Sequence, residues 1–239
     1  MAEDRSVLTR SAAPPDDVLR YGEQPDQVMD VWSGTSDRPI VVLVHGGFWR
    51  PDYDRVHLRP MAEALSAAGW PVASIEYRRE PGHPDVTVDD LRAALDRLPV
   101  LLGEARPMVL VGHSAGGHLV LWAATAVKPP GLRGTVALAP VADLALAYRL
   151  QLDDGAVADF LGTPPEVRKD LDPVLLPQPT TPVTVVHGTA DTVVPVALAE
   201  SYTGVHRSTR YVPITGAGHF ELIDPTSTVW SLVADELSR

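Results

Sequence analysis

Cysteine is absent from the 239 residues. That single absence removes disulfides, thiolate metal sites and a cysteine nucleophile. Asparagine is absent as well, so the chain has no N-glycosylation acceptor. Lysine occurs only at Lys128 and Lys169, leaving arginine as nearly all of the 20 basic residues. These are outnumbered by 31 acidic residues, for a formal net charge of −11. Such a balance repels phosphate backbones and anionic lipid, so neither nucleic acid nor a membrane surface is an expected partner. No apolar run approaches the ~20 residues that a bilayer span requires. The opening MAEDRSVLTR lacks the apolar core of a secretory signal. The expectation is a soluble cytoplasmic protein, monomer or homodimer, whose partner is a small molecule.

What is present is globular: 45% hydrophobic residues and 21% charged ones. The length suits one domain over 1–239. Residues 1–20, polar and carrying Pro14-Pro15, are expected to form a loosely held arm. Apolar runs at 28–32, 40–44, 72–77, 108–112, 134–139, 183–187 and 210–213 predict strands. Several are apolar throughout, as strands covered on both faces are. Helix patterns lie between them at 57–68, 87–98, 115–127, 195–203 and 226–237, the second closing before Pro99. This alternation predicts an α/β fold with a mostly parallel central sheet and helices on both faces. Residues 141–182 break the rhythm with short helices and six prolines, and predict a small cap.

Gly112-His113-Ser114-Ala115-Gly116 joins the strand MVLVG to a helix. The G-x-S-x-G pattern there makes a turn so tight that the flanking residues need almost no side chain, which holds the Ser hydroxyl out at the sheet edge. With 18 Gly and 12 Ser, chance alone gives roughly 0.07 such patterns per chain, so its company decides. His45-Gly46-Gly47-Phe48-Trp49 follows the strand IVVLV, where exposed N–H groups can hold an oxyanion. Gly47, Phe48 and Ala115 are the expected donors.

A serine nucleophile needs a base and an acid to orient it. Asp191, in HGTAD after the strand VTVVH, and His219, in GAGHF after the last strand, follow Ser114 in that order. Asp143, after the strand GTVALA, is the rival acid. Among the other histidines, His45 is expected to shape its own loop and His187 to support the acid's loop. His113 and His118 are expected to pack locally. His57, His83 and His206 are expected at the surface, and Asp172 and Asp224 as capping or surface carboxylates. No H-E-x-x-H or H-x-H spacing occurs, so no metal or cofactor is expected.

VLVHGGFW, GHSAGGHL, HGTADTVVP and GAGHF together resemble the α/β-hydrolase superfamily, over about residues 28–239. HGG-x-W with GHSAGGHL is similar to the kynurenine formamidase (arylformamidase) branch, as are YGEQPDQVMDVW and Glu76-Tyr77-Arg78. The resemblance implies an α/β-hydrolase fold and a serine hydrolase with Ser114, His219 and Asp191 as its triad. Its substrate would be a small aryl formamide, or, in a carboxylesterase, a short acyl ester. Trp49 and Tyr77 are the expected pocket walls. A binding module that keeps the fold without catalysis is the alternative of another class.

Overall fold

A computed structural model describes residues 3–35 and 37–238; residues 1 and 2 of the expected arm, Ser36 and Arg239 lie outside it. Eight strands form one sheet: β1 (Asp17–Arg20), β2 (Val28–Trp32), β3 (Ile40–Val44), β4 (Val72–Ile75), β5 (Met108–His113), β6 (Leu132–Leu138), β7 (Val183–Gly188) and β8 (Arg210–Ile214). Their order is β1-β2-β4-β3-β5-β6-β7-β8. β2 runs antiparallel to β1 and β4, and every later pairing is parallel. The mostly parallel α/β sheet expected from the sequence is therefore present.

Among the described residues the α-helices are α1 (Arg59–Ala67), α2 (Pro84–Leu101), α3 (Ala115–Ala126), α4 (Leu144–Arg149), α5 (Ala156–Leu161), α6 (Ala197–Val205) and α7 (Trp230–Glu236). Two apolar cores separate them. Ile40, Val42 and Val44 enter the core that holds residues of α2, α3 and α6, while Val41 and Leu43 enter the one that holds residues of α1 and α7. Alternation along β3 thus places apolar side chains on both faces, which is why its sequence shows no polar positions.

Several elements differ from expectation; α7, expected from residue 226, begins at Trp230. β1 lies inside the segment expected as a loose arm; its pattern is mostly exposed, so it lacks an apolar run to announce it. α2 starts at Pro84 rather than Thr87, because proline suits the first helical turn, where its missing N–H costs no bond. It also continues through Pro99, which sits in its last turn. The 141–182 stretch contains α4, α5 and several 3-10 turns. It is tied to α3 by His118 Nε2 to Leu171 O (2.8 Å) and Trp122 Nε1 to Asp170 O (3.2 Å).

Parallel pairing brings the carboxyl ends of β3, β4, β5, β7 and β8 to one edge. His45, Glu76, Ser114, Asp191 and His219 all follow those strand ends. Open α/β sheets place ligands at this edge.

Candidate active site

Ser114 follows β5 and precedes α3, with φ 58° and ψ −117°. A non-glycine residue held there carries backbone strain of order 1–3 kcal/mol, which persists only where packing fixes it. The packing is visible: a Cβ on Gly116 would sit 2.0 Å from Val44 O. Only glycine lets α3 start this close to β3. Ala115, the first residue of α3, offers one of the N–H groups that a helix leaves unpaired at its start.

The loop after β3 packs on this turn, since a Cβ on Gly46 would meet Ser114 Cβ at 2.9 Å. Phe48 (φ 50°) and Trp49 (φ 56°) are both left-handed. Among the described residues, the N–H groups of Gly47 and Phe48 have no protein acceptor. Gly47, Phe48, Ser114 and His219 line one cleft with Tyr53, His57 and others. The free space there is about 30 Å³, room for roughly two water-sized groups.

His219 Nδ1 lies 2.7 Å from Asp191 Oδ2. A carboxylate can only accept, so Nδ1 carries the proton and Nε2 remains the basic nitrogen. Asp191 Oδ1 accepts from Val193 N (2.8 Å) and Val194 N (2.7 Å). His187 Nε2 faces two acceptors, Val194 O at 2.8 Å and Asp191 Oδ2 at 3.3 Å. Burial opposes ionisation of Asp191, but these donors outweigh it and hold the carboxyl well below the usual carboxylate range. Asp143, the rival acid, is occupied elsewhere: it caps α4 through Leu146 N (2.7 Å) and accepts from Ser201 Oγ (2.5 Å).

Trp49 and Tyr77 do not line the cleft. Trp49 stacks on Phe160 of α5 at 4.4 Å, so it packs against the 141–182 segment instead. Tyr77 is fully buried, stacks on His45 at 4.3 Å and donates its hydroxyl to His45 O at 2.8 Å. The excursion 141–182 reaches the cleft only through Asp153, which accepts from Arg50 Nε at 2.7 Å. His57 and His206 are buried rather than at the surface; burial pushes His57 down to about 3. His206 accepts burial by bonding Pro173 O at 3.0 Å. His118 reaches Leu171 O in the 141–182 segment rather than packing locally, and burial lowers it to about 4. His113 Nε2 contacts His219 O at 3.1 Å. Asp172 is buried and holds Leu144 N (3.1 Å) and Ala145 N (3.3 Å).

Sequence reasoning missed the ionic support of the Gly47 loop. Glu76 Oε1 lies 3.1 Å from His45 Nε2 and accepts from Tyr77 N (3.0 Å) and Arg79 Nη1, while Oε2 accepts from Arg55 N (2.9 Å). Arg55 and Arg59 converge through their Nε atoms on buried Asp30, each at 2.8 Å. A carboxylate ending the apolar strand VASIE was the one available signal. Among the described residues no group of three or more His, Asp or Glu side chains is placed to hold a metal ion. None of their helices is long and apolar enough to cross a membrane.

Esterase LipC of Mycobacterium tuberculosis is 28% identical over 92% of this chain and 64% of its own length. Kynurenine formamidase of Salmo salar is 29% identical over 52% of this chain and 45% of its own. The chain therefore spans less than two thirds of the length of these relatives. Among solved structures, esterase B of Lactobacillus rhamnosis superposes with a TM-score of 0.77 at 17% identity, covering 98% of this chain and 88% of that one. That likeness is one of fold. The BD-FAE family model matches residues 29–203, from within β2 into α6, and the chain belongs to the BD-FAE family, within the α/β-hydrolase superfamily.

Proposed function

We propose that the protein is a serine hydrolase for small acyl groups, with an aryl formamide as the substrate of arylformamidase type. The observation that carries the reading is the 2.7 Å bond from His219 Nδ1 to Asp191 Oδ2, in a cleft that Ser114 also lines. In this reading Ser114 Oγ attacks the carbonyl carbon while His219 Nε2 takes its proton. Asp191 keeps Nδ1 protonated and stabilises the imidazolium. The oxyanion accepts from the N–H groups of Gly47, Phe48 and Ala115, each worth on the order of 3 kcal/mol in the transition state. His219 then protonates the leaving heteroatom, and water repeats the sequence to release the acid.

The kynurenine formamidase match supports the formamide. A carboxylesterase acting on short acyl esters is the second reading, supported by the LipC match over 92% of the chain. Head-to-head kcat/KM values for N-formylkynurenine and p-nitrophenyl acetate separate the two. Turnover of the formamide at least as efficient as that of the ester is the expected result; a formamide turned over far more slowly leaves the carboxylesterase reading standing. A binding module would turn over neither.

A further inference from the structure

The segment Glu3–Arg10, expected to be a loose arm, is instead fastened across the site at four points. Glu3 Oε2 accepts from His219 N at 2.9 Å, and Oε1 accepts from Thr192 N at 2.8 Å and Thr192 Oγ1 at 3.2 Å. One carboxylate therefore ties the loop of the base to the loop of the acid. The Arg5 guanidinium lies over the Phe220 ring, 5.3 Å from its centroid. Val7 is buried in the core beneath the sheet face of α1 and α7. Arg10 holds Asp224 through Nη2 (2.9 Å) and Thr226 Oγ1 through Nη1 (2.8 Å).

This fastening places Arg5 and Leu8 in the wall of the cleft that contains Ser114 and His219. The cleft shares Arg5, Phe48, Asp153 and Val193 with a neighbouring recess of about 470 Å³, which Glu3 and Thr192 also border. We propose that Glu3–Arg10 is a specificity strap that decides how large a leaving group the site accepts. The inference rests on the Ser114 hydrolase reading given above.

The side of the substrate follows from proton transfer. As the Ser114 Oγ–acyl bond forms, the bond from acyl carbon to the leaving oxygen or nitrogen breaks, and His219 passes that heteroatom the proton taken from Ser114. The leaving group must therefore lie within hydrogen-bond reach of His219. The strap is attached to that same loop, through His219 N and Phe220. A bulky alcohol or amine meets Leu8 and Arg5 on its way to the recess, whereas the acyl carbonyl, directed at Gly47 and Phe48, does not.

Leu8→Ala and Leu8→Trp in the full chain test this in opposite directions, without touching buried Val7. The readouts are two kcat/KM ratios: 1-naphthyl acetate over methyl acetate for the leaving group, and 1-naphthyl acetate over 1-naphthyl butyrate for the acyl group. Leu8→Ala is expected to raise the first ratio about tenfold and Leu8→Trp to lower it about tenfold, with the second ratio constant within about twofold. A first ratio that stays within about twofold in both variants overturns the proposal. So does an acyl ratio that moves as far as the leaving-group ratio. Circular dichroism confirms that each variant is folded. Labelling of wild-type Ser114 by a fluorophosphonate separates the two failures: unchanged ratios with labelling sink the strap alone, and no labelling sinks the hydrolase reading together with it.

Discussion

Replacing Glu76 by glutamine should weaken both the fold and the chemistry, because one carboxylate serves both. Glu76 is 2% exposed, lies 3.1 Å from His45 Nε2 and accepts from Tyr77 N, Arg55 N and Arg79 Nη1. Burial raises its proton affinity, but His45 and Arg79 reverse the balance and hold the carboxyl well below its ordinary value. Glutamine keeps the shape and removes the charge, and it turns an NH₂ toward one set of donors. The guanidinium of Arg79, itself only 7% exposed, then loses its counter-charge. Breaking a buried pair on one side costs about 3–5 kcal/mol, a large part of the 5–15 kcal/mol typical of a domain. The His45 ring also loses its anchor. His45 leads into Gly47 and Phe48, so the proposed oxyanion donors would shift, and a misplacement of about 1 Å costs on the order of 10²-fold in rate. Urea unfolding should show a loss of about 3–5 kcal/mol, and kcat should fall on the order of 10²-fold with KM changed far less. A loss under about 1 kcal/mol, or a rise in KM at constant kcat, would refute the ionic anchoring of this loop.

Other substitutions probe the remaining parts. Asp191→Asn preserves the shape of the acid but lets His219 adopt the other tautomer, so kcat should drop on the order of 10⁴-fold; a drop under tenfold in steady-state assays would move the acid's role to another residue. Phe160→Ala removes the ring under Trp49, and should cost about 3–5 kcal/mol of stability and lower kcat more than it raises KM. Unchanged kcat would separate the cap from the Gly47 loop. Asp172 carries a stability effect with a defined sign. Burial pushes its carboxyl up to about 6, with Leu144 N–H opposing and Asp143 adding, from an ordinary 3.8. The native state thus holds this proton more tightly than the unfolded chain, so the contribution is full below pH 4 and lost as pH rises through 6. Wild-type stability relative to Asp172→Asn should fall by up to about 3 kcal/mol between pH 4 and 7; a difference that is flat with pH in denaturant titrations contradicts the shift.

The sequence was legible where backbone constraint or double-sided burial left a local mark. IVVLV, MVLVG and VTVVH announce central strands because both faces are covered. G-x-S-x-G announces its turn because a Cβ on Gly116 would strike Val44 O. β1 left no such mark, since an exposed edge strand is defined by its pairing with β2 rather than by apolar content. Aromatic residues beside a site look alike in sequence; the stacking of Trp49 on Phe160 and the hydroxyl bond of Tyr77 to His45 O turn both away from the cleft. Glu3 was illegible for a further reason. Its partners lie 189 and 216 residues away, and an acidic residue near the start of a chain carries no local pattern.

The central claim is that Ser114 is an activated nucleophile in a site completed by His219 and Asp191. Intact-mass measurement after exposure to a fluorophosphonate tests it most directly, with the adduct mapped by peptide fragmentation. The account predicts one adduct per chain on Ser114, none in Ser114→Ala, and labelling strongly slowed in Asp191→Asn. A folded wild-type protein that stays unlabelled, or an adduct that persists in Ser114→Ala, would contradict it.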